Sequence, residues 1–572
     1  MYRFKIKKMQ INMAENKKEI TPKTVNVIIG PNNSGKSRFL KEIRDFLNGE
    51  EKELKIIDKI EYEYPENFAI LNESYDMQNK MSRDYYGSWI LRTYAGQMAN
   101  NWDINASMEN YSTKSLNTIG ADWKEYFENV IKNKEGQNFF QNFGALFYQY
   151  LGTEERLIIS KIQKNYGLDS NSTNFLSICK FEETLLKGLS EKVRRIFGRD
   201  IILDTQTLGD RLVFRVGDNF DYIKGILGND SGEITRLSKE TILDDQGDGL
   251  KSFVSTYLAL NLKGKDILLL DEPEAFLHPP LARQMGEMIG EVKNNEKQIY
   301  IATHSVEILK GILSKSNDVN IIRITQPEIN KNEVTLIDET ILKTILNNPL
   351  LRVSRVLEGL FCEKVVVTEA ESDELIYQEI IEKIWPQSGL YFAHGQNKQT
   401  LAEIAELYEN IGIPYEVITD FDILRKSDEF NKFLKIMKLD ERVMQQYRNY
   451  CIKLRNQIES RVDIEGLTEQ EKKDVLKKER DKAYHELGIS CLNDLDGDLK
   501  ENIEGLLEEM HIKHLHILPS GELETLLIPF GIEYTHNKNK WVIDAINYIA
   551  EWETEGLETE DSLVKFLKRV LD

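Results

Sequence analysis

The chain has 572 residues, of which 41% are hydrophobic and 30% are charged, and its formal net charge is −21 at pH 7. This length exceeds what one hydrophobic core usually serves, so we expect two large domains with insertions. No apolar run approaches the roughly 18 residues of a membrane helix, and the start, MYRFKIKKMQ, lacks the apolar core of a secretion signal, so we expect no membrane contact and a cytoplasmic location.

The first elements predict an α/β opening. Residues 4–8 alternate as a short strand, and residues 24–29 form an apolar run typical of a buried strand. The segment GPNNSGKS at 30–37 and the helical pattern SRFLKEIRDFL follow. In this order, backbone N–H groups and a helix N-terminus bind phosphates. We therefore predict an ATP site in which Lys36 contacts the β and γ phosphates and Ser37 is a ligand of Mg²⁺. The predicted ATP-binding residues of the loop are Gly30, Asn32, Asn33, Ser34, Gly35, Lys36 and Ser37.

Residues from about 70 to 200 carry no nucleotide motif. Segments such as DWKEYFENVIKNK and FEETLLKGLSEKVRRIF have helical spacing. We predict an inserted, mostly helical subdomain there, which is also a candidate for dimerisation. The nucleotide-binding domain is then expected to span residues 1–345, with this insertion inside it.

Two later apolar strands end in polar residues. DILLL precedes Asp271 and Glu272, and QIYIA precedes Thr303 and His304. We expect Asp271 to hold Mg²⁺ through water and Glu272 to orient or deprotonate the attacking water. His304 is predicted to sense the γ phosphate. A buried strand that merely ends in acids is the alternative, and the phosphate-binding loop argues against it.

The loop at 30–37, DEPEAFLHP at 271–279 and the histidine together resemble ABC-type ATPases. The resemblance implies that ATP binds between two subunits, with a signature loop supplied by the partner. The segment QGDGLKS at 246–252 stands at that place, although it departs from the usual Leu-Ser-Gly-Gly-Gln form. Its Asp248 would repel a γ phosphate, so we expect ATP to act as a regulator more than as a fuel.

A second α/β unit begins near residue 360 with EKVVVTEAESDELI, YFAHG and YEVITDFD. Its first strand ends at Glu369, and Asp373 follows one helical turn later. Asp420 and Asp422 end another strand and point to the same side if the chain stays extended. Four converging carboxylates would form a hard-oxygen cage for Mg²⁺ or Mn²⁺, whose charge relieves their mutual repulsion.

This spacing resembles the Toprim domain of topoisomerases, primases and related nucleases, over residues 360–530. The charged stretch at about 426–505 is predicted to be a helical insertion, and 531–572 a C-terminal helical segment. The resemblance implies a closing acidic motif in ILPSGELE, where we favour Glu524 over Glu522 as a metal ligand. It also implies a late lysine near the scissile phosphate, for which Lys540 is the candidate and an ordinary surface lysine the alternative.

Three histidines, His511, His514 and His516, lie close together in the sequence. On a strand only His514 and His516 share a face, and no fourth ligand is apparent, so we predict no transition-metal site there.

An ABC-type head joined to a Toprim centre resembles the overcoming-lysogenization-defect family, which includes the large subunit of the Gabija antiphage system. The expected fold class is α/β: an ABC-type ATPase domain with a helical insertion, followed by a Toprim Rossmann-like domain with a helical insertion. The resemblance implies a DNA endonuclease or nickase that uses ATP and Mg²⁺ or Mn²⁺. It also implies a dimer or tetramer that serves bacterial defence with a helicase-like or other partner protein.

Two alternatives remain at this stage. One is a nucleotide-gated DNA-binding or scaffold ATPase that no longer cuts, against which the acidic residues of the second half argue. The other is strand transfer as in topoisomerases, which would need a nucleophilic tyrosine in a separate domain, and none can be singled out.

Overall fold

The computed structural model divides the chain into two units, Met1–Glu339 and Thr340–Asp572, and each is described by itself. Within the described residues, none of the helices combines the length and the apolar content needed to cross a membrane. The described residues are 2–12, 18–50, 54–75, 81–83, 89–93, 112–115, 123–164, 176, 179–180, 182–223, 231–261, 265–293, 297–328, 331–338, 340–343, 355–395, 397–465, 467–493, 497–532, 537–552 and 562–571.

The first unit contains both strands and helices. Its strands are β1 (Ile6–Ile11), β2 (Lys18–Ile20), β3 (Val25–Ile29), β4 (Ile57–Tyr62), β5 (Met81–Arg83), β6 (Trp89–Thr93), β7 (Ser112–Ser115), β8 (Tyr148–Leu151), β9 (Gln163–Lys164), β10 (Asp200–Asp204), β11 (Arg211–Gly217), β12 (Thr241–Ile242), β13 (Ile267–Asp271), β14 (Gln298–Ala302), β15 (Val319–Glu328) and β16 (Lys331–Ile337). Its helices are α1 (Lys36–Leu47), α2 (Phe68–Tyr75), α3 (Trp123–Lys132), α4 (Gly136–Phe147), α5 (Thr153–Ile159), α6 (Glu183–Phe197), α7 (Ser231–Leu237), α8 (Asp248–Asn261), α9 (Pro279–Gly290) and α10 (Val306–Lys315).

The central sheet of this unit has six strands in the order β16-β15-β3-β14-β13-β8. Neighbouring strands are parallel, except that β16 runs antiparallel to β15. All five side chains of β3, VNVII, are buried, as expected for an apolar strand covered on both faces of a sheet. The carboxyl ends of β3, β13 and β14 therefore lie at one edge, where open α/β sheets bind ligands.

An aromatic core packs around the first helix after β3. Phe4 stacks on Phe147 with ring centroids 4.6 Å apart and meets Phe140 edge-on at 5.7 Å. Burying each of these rings contributes roughly 1.5–3 kcal/mol. Gly144 allows α4 to approach the end of α1, because a Cβ atom there would lie 1.6 Å from the carbonyl oxygen of Leu47. The core thus fixes the helix that follows the phosphate-binding loop.

The stretch at about 70–200, predicted to be a mostly helical insertion, contains strands as well as helices among its described residues. β8 pairs in parallel with β13 and is an edge strand of the central sheet, and β5, β6 and β7 form a separate sheet. Helices α3 to α6 occupy other parts of the stretch. The sequence did not indicate β8, YQYL, because the strand is short and all four side chains are buried, so no alternation appears.

The second unit is also α/β. Its strands are β17 (Lys364–Thr368), β18 (Leu390–His394), β19 (Tyr415–Thr419) and β20 (Leu515–Ile517). Its helices are α11 (Glu371–Ile384), α12 (Lys398–Ile411), α13 (Ser427–Ile436), α14 (Glu441–Ser460), α15 (Glu469–Asp481), α16 (Gly497–Ile512), α17 (Leu523–Leu527), α18 (Lys538–Ala550) and α19 (Ser562–Leu571). The strands pair in parallel in the order β18-β17-β19-β20. The predicted α/β class with two such sheets is confirmed.

The last two helices complete the core of the second unit. Trp541 on α18 and Leu567 on α19 are buried in one cluster with Ile376 of α11 and Ile418 of β19. Helices α13 to α16 fill the charged stretch between β19 and β20. The last residues of the chain therefore pack with this sheet, and the charged helices interrupt it.

Candidate functional site

The phosphate-binding loop joins β3 to α1. Gly30 has φ +142°, and a Cβ atom there would lie 2.0 Å from the carbonyl oxygen of Ile324, so only glycine fits. Gly35, just before α1, has φ +100°. Between these glycines the backbone curls, and Lys36 Nζ donates to the carbonyl oxygens of Gly30 (2.9 Å) and Pro31 (2.7 Å). The loop closes around an ammonium group at a helix N-terminus, the arrangement that binds phosphate.

The other polar residues of the loop differ in their exposure to solvent. Asn32 and Asn33 are exposed, and Asn33 has φ +61°. Ser34 is buried, and its hydroxyl has no hydrogen-bond partner among the described residues. The carbonyl oxygen of Ser34 accepts from Asn332 Nδ2 at 2.9 Å, which ties the loop to β16.

Asp271 lies at the end of β13 and contacts the start of α1. Its Oδ1 accepts from Ser37 Oγ at 2.8 Å, and its Oδ2 accepts from the hydroxyl of Tyr150 at 2.9 Å. Ser37 and Asp271, the two expected Mg²⁺ ligands of the nucleotide site, are thus in direct contact. Tyr150 belongs to β8 and was therefore absent from the sequence-based site. Burial lowers the pKa of Lys36, and the nearby Glu272 and Asp271 act in the opposite direction.

Glu272 and His304 lie together at the carboxyl ends of β13 and β14. His304 Nδ1 is 3.7 Å from Glu272 Oε1 and 3.2 Å from Glu274 Oε1. Glu272 has φ +48°, a backbone conformation that is uncommon for residues other than glycine and concentrates at functional sites. Glu274, which the sequence analysis left without a role, is buried and accepts from Thr303 Oγ1 at 2.7 Å and from the backbone N–H of His304 at 2.8 Å. The second acid of DEPE was the signal that could have indicated it.

Arg156 on α5 is fully buried and links three elements around the acids. It donates to the carbonyl oxygens of Asp271 (2.6 Å) and Glu272 (2.7 Å) and to Ser252 Oγ on α8 (3.0 Å). It also donates to the carbonyl oxygen of Leu151, at the end of β8. The guanidinium therefore connects the acidic end of β13 with the helix that follows the signature segment.

The signature segment leads into α8. Asp248 is the first residue of that helix, and its carboxylate pairs with Lys251 Nζ at 2.9 Å. Its negative charge is therefore partly offset within its own chain.

Glu369, Asp420 and Asp422 meet at the carboxyl edge of the second sheet. Each offers one carboxylate oxygen, and these atoms lie within 4.8 Å of one another. Glu369 Oε1 accepts from Thr419 Oγ1 at 2.6 Å and from the backbone N–H of Asp420 at 3.1 Å, which joins the ends of β17 and β19. The sequence analysis placed Asp420 and Asp422 on one side only on the condition that the chain stays extended after β19, and it does not stay extended there. It turns into a 3₁₀ helix, Phe421–Arg425, and this turn brings Asp422 beside Asp420.

Burial disfavours the ionised forms of Glu369 and Asp420. Burial raises the pKa of Glu369, an effect that Lys398 opposes. Burial also raises the pKa of Asp420, and repulsion from Glu369 adds to it. Lys398, which the sequence analysis did not single out, lies among the three acids. Its Nζ is 3.1 Å from Glu369 Oε2 and 3.8 Å from Asp420 Oδ2, and it contacts Asp422 Oδ1 directly.

Asp373 and Glu524 interact electrostatically with each other and with Lys538. Burial raises the pKa of both carboxyl groups, and Lys538 opposes this for each of them. The Asp373 carboxylate accepts from the backbone N–H of Ala370 at 3.2 Å and from Ser372 Oγ at 3.0 Å, so it also caps the start of α11. Asp373 lies outside the tight group that spans 4.8 Å.

Tyr377 shows that the two sets of acids face one region. It lies one turn after Asp373 on α11 and is buried. Burial raises its pKa, and Asp373, Asp420, Glu524 and Glu369 all add to the effect through their charges. All four carboxylates therefore lie within electrostatic range of this one side chain.

The structure places Lys538, and not Lys540, near these acids. Both lysines are exposed, but Lys538 is the one that interacts electrostatically with Asp373 and Glu524, and the backbone N–H of Lys540 donates to Asn537 Oδ1 at 3.2 Å. Two residues on a helix are about 200° apart, so Lys540 points away from the side that Lys538 presents. Glu522 pairs with His485 of the charged insertion, which leaves Glu524 as the acid of ILPSGELE that interacts with Asp373.

Two of the three histidines contact Glu416 on β19, and the third contacts His516. His516 Nε2 lies 2.7 Å from Glu416 Oε2, and His514 Nδ1 lies 3.0 Å from Glu416 Oε1. His511 Nδ1 lies 2.7 Å from His516 Nδ1. Lys364 Nζ completes the group at 3.1 Å from Glu416 Oε1.

Two family models match parts of the chain. The first is an AAA domain whose description names the AbiEii toxin and type IV TA systems, and it matches residues 133–310. The second is the Toprim domain of overcoming lysogenization defect protein-like proteins, which matches residues 360–422. The first range contains Arg156, Asp271 and His304, and the second contains Glu369 and Asp422.

Curated relatives also match. Endonuclease GajA of Bacillus cereus (strain VD045) is 23% identical over 560 residues, which cover 84% of this chain and 87% of that protein. The Old nuclease of Escherichia phage P2 is 22% identical over 170 residues, which cover 28% of this chain and 28% of that protein. Among solved structures, the SMC head domain from Thermotoga maritima is 12% identical with a TM-score of 0.29, and the match covers 59% of this chain and 100% of that one.

Proposed function

We propose that the chain, which is similar to the overcoming-lysogenization-defect family in joining an ATPase domain to a Toprim domain, is an ATP-binding, metal-dependent DNA endonuclease or nickase. Its proposed substrate is DNA, and its proposed cofactors are ATP and Mg²⁺ or Mn²⁺. One observation carries the proposal: carboxylate oxygens of Glu369, Asp420 and Asp422 lie within 4.8 Å of one another.

These three carboxylates fit a divalent cation in size and in chemistry. Mg²⁺ binds oxygens at about 2.0–2.1 Å in an octahedron, so two oxygens on one ion lie roughly 2.9–4.2 Å apart. A group that spans 4.8 Å needs only a small contraction to reach that geometry. Burial and repulsion raise the pKa values of Glu369 and Asp420, and a divalent ion would favour their ionised forms.

Each residue of the centre has a proposed task. Glu369, Asp420 and Asp422 hold a metal ion, while Asp373 and Glu524 hold a second ion or orient the attacking water. The electrostatic interaction of Asp373 and Glu524 with Lys538 supports a role for this lysine next to the scissile phosphate. A bound ion would supply charge stabilisation at the phosphodiester oxygens and a more acidic water.

The first unit is proposed to bind ATP with Mg²⁺. The contact between Ser37 and Asp271 at 2.8 Å and the position of His304 beside Glu272 support this assignment. Asp248 in the signature segment disfavours a nearby γ phosphate, so hydrolysis is proposed to be slow. ATP would then regulate cleavage of DNA more than drive it.

The assembly and the biological role are also proposed. A signature segment at 246–252 that acts on a partner's nucleotide requires a dimer or tetramer. We propose a cytoplasmic protein of bacterial antiphage defence that works with a helicase-like or other partner protein. Survival of cells during phage infection, compared between wild type and a variant without the carboxylates, tests this role.

Cleavage of supercoiled and linear DNA tests the proposed activity. Wild-type protein with Mg²⁺ or Mn²⁺ is expected to nick or linearise plasmid and to lose this activity in EDTA. A double variant, Asp420→Asn with Asp422→Asn, is expected to be slower by at least about a hundredfold, because it loses charges that hold the metal. Asp428→Asn is the matched control, since Asp428 is exposed on α13.

The same cleavage assay is repeated over a range of ATP concentrations. It is also repeated with protein that has been coexpressed with the product of the neighbouring gene. If wild type and double variant leave DNA equally intact under every condition, the nuclease proposal fails and the nucleotide-gated DNA-binding ATPase becomes the better account. If both cleave equally, the activity lies outside the proposed carboxylates.

A further inference from the structure

Lys398 occupies the middle of the carboxylate centre. Its side chain is only 10% exposed, and its Nζ lies 3.1 Å from Glu369 Oε2 and 3.8 Å from Asp420 Oδ2. It also contacts Asp422, whose side chain is 5% exposed. A buried ammonium needs charged partners, and these three acids are the ion-pair partners that the structure gives it among the described residues.

The residues on either side of this position hold Lys398 at the edge of the sheet. The backbone N–H of Gly395, just after β18, donates to the carbonyl oxygen of Thr368 at the end of β17 at 2.9 Å. Asn397 then caps α12 by accepting from the backbone N–H groups of Gln399 (3.0 Å) and Thr400 (3.1 Å). Lys398 is the first residue of the helix, so its backbone is held at the edge of the sheet.

The charge of Lys398 is stabilised by acidic side chains and not by the helix on which it lies. A cation at a helix N-terminus opposes the helix dipole, and the first turn of α12 contains no acid. The stabilising charges therefore come from Glu369, Asp420 and Asp422.

The ammonium and a divalent ion compete for the same oxygens. An ion bound at about 2 Å from Glu369 Oε2 and Asp422 Oδ1 would lie too near the ammonium for both cations to keep these positions. The lysine side chain has four flexible carbon atoms, so a change of rotamer can withdraw the ammonium without moving the backbone.

We propose that Lys398 is a built-in counter-ion that holds the carboxylates together in the metal-free protein and that an entering divalent ion has to displace. This inference rests on the proposed function, because it concerns the same metal centre. Lys398 is thus a positioning residue that sets how much metal is needed to load the site.

Mn²⁺ binding to the full-length protein tests the inference without any cleavage. Calorimetric titration with MnCl₂ compares wild type with Lys398→Met and Lys398→Gln, and with Lys432→Met as a control on the exposed surface of α13. Both Lys398 variants are expected to bind Mn²⁺ about tenfold more tightly than wild type, the size of a typical coupling between two competing sites. Lys432→Met is expected to bind like wild type.

Thermal unfolding supplies a second readout. In EDTA the Lys398 variants are expected to unfold at a lower temperature than wild type, because their acids have lost the cation between them. Saturating Mn²⁺ is expected to raise their unfolding temperature by more than it raises that of wild type. Lys398→Arg retains the charge and is expected to show no gain in Mn²⁺ affinity.

The two hypotheses can fail separately. If wild type binds Mn²⁺ and Asp422→Asn does not, the metal centre stands. Equal or weaker Mn²⁺ binding by Lys398→Met and Lys398→Gln would then overturn the role of Lys398 alone. If wild type and Asp422→Asn bind Mn²⁺ identically, the proposed metal centre itself fails.

Discussion

Lys538 and Lys540 stand two residues apart at the start of α18, yet their surroundings differ. Both lysines are exposed, but Lys538 interacts electrostatically with Asp373 and Glu524, whereas Lys540 lies about 200° away around the helix. A cation beside the acids can neutralise a phosphate that would otherwise be repelled by them.

Replacement of each lysine by methionine separates the two. Lys538→Met is expected to slow DNA cleavage by about a hundredfold, the size typical of losing one electrostatic stabiliser. Lys540→Met is expected to change the rate by less than about threefold, because its side chain points away. The measurement is the initial rate of plasmid nicking at saturating Mn²⁺. A large loss for Lys540→Met with none for Lys538→Met would contradict the assignment.

Among single residues, those that directly follow a predicted strand could be assigned to a site from the sequence. Glu369, Asp420 and Asp271 could be placed because the carboxyl ends of parallel strands meet at one edge. Arg156 and Lys398 could not be placed, since their contacts join segments far apart in the chain. Their partners become known only when the strand order is known.

Among elements, the junction of β8, α8 and β13 depends on Arg156. Its guanidinium donates to three backbone carbonyl oxygens and to Ser252 Oγ, and no water reaches it because it is fully buried. Lysine cannot reproduce this fork of donors.

Arg156→Met is expected to destabilise the first unit by about 2–4 kcal/mol, because it leaves several buried carbonyl oxygens without partners. ATP affinity is expected to fall as well, since Arg156 fixes the backbone of Asp271 and Glu272. Differential scanning calorimetry with and without ATP measures both effects. Arg195→Met, at an exposed position on α6, is the control, and an unfolding temperature for Arg156→Met equal to that of the control would refute the role.

The start of β20 carries a pH-dependent contribution to stability. Burial lowers the pKa of His516 from its ordinary value of 6.5. The unfolded chain then binds more protons than the folded one, so His516 stabilises the fold above pH 6.5 and this contribution is lost as the pH falls. His514 acts in the opposite sense, because its hydrogen bond to Glu416 raises its pKa.

The variant His516→Asn isolates the contribution of His516 to the pH dependence of stability. The variant is expected to unfold a few degrees below wild type at about pH 7.5, and the gap is expected to narrow by about pH 5.5. Thermal unfolding followed by circular dichroism measures the gap, with the exposed His278→Asn as control. A gap that stays constant or widens on acidification would show that the neutral imidazole of His516 is not the cause.

Whether a segment is a strand or a helix was predictable where its pattern of apolar residues was clear. The apolar strands β3, β13, β14 and β17 stood out because strands buried on both faces have continuous apolar sequences. β8 did not, because four residues are too few to show a pattern, and the 3₁₀ turn after Asp420 did not because local turns leave no period.

The whole molecule combines two units that each carry a site at the carboxyl edge of a parallel sheet. The first unit places Lys36, Ser37 and Asp271 together, and the second places Glu369, Asp420 and Asp422 together. The central claim is that nucleotide in the first site controls metal-dependent cleavage in the second. Sequence could suggest this only through family resemblance, because coupling between two units has no local pattern.

The rate of plasmid nicking as a function of ATP concentration tests this claim most directly. Wild type, Lys36→Ala and the control Lys41→Ala, which alters an exposed residue of the same helix, are compared at fixed Mn²⁺. Wild type and Lys41→Ala are expected to show the same saturable change in rate, of about fivefold or more, and Lys36→Ala is expected to show none. A wild-type rate that does not depend on ATP, or a Lys36→Ala curve that follows the wild-type curve, would contradict the account.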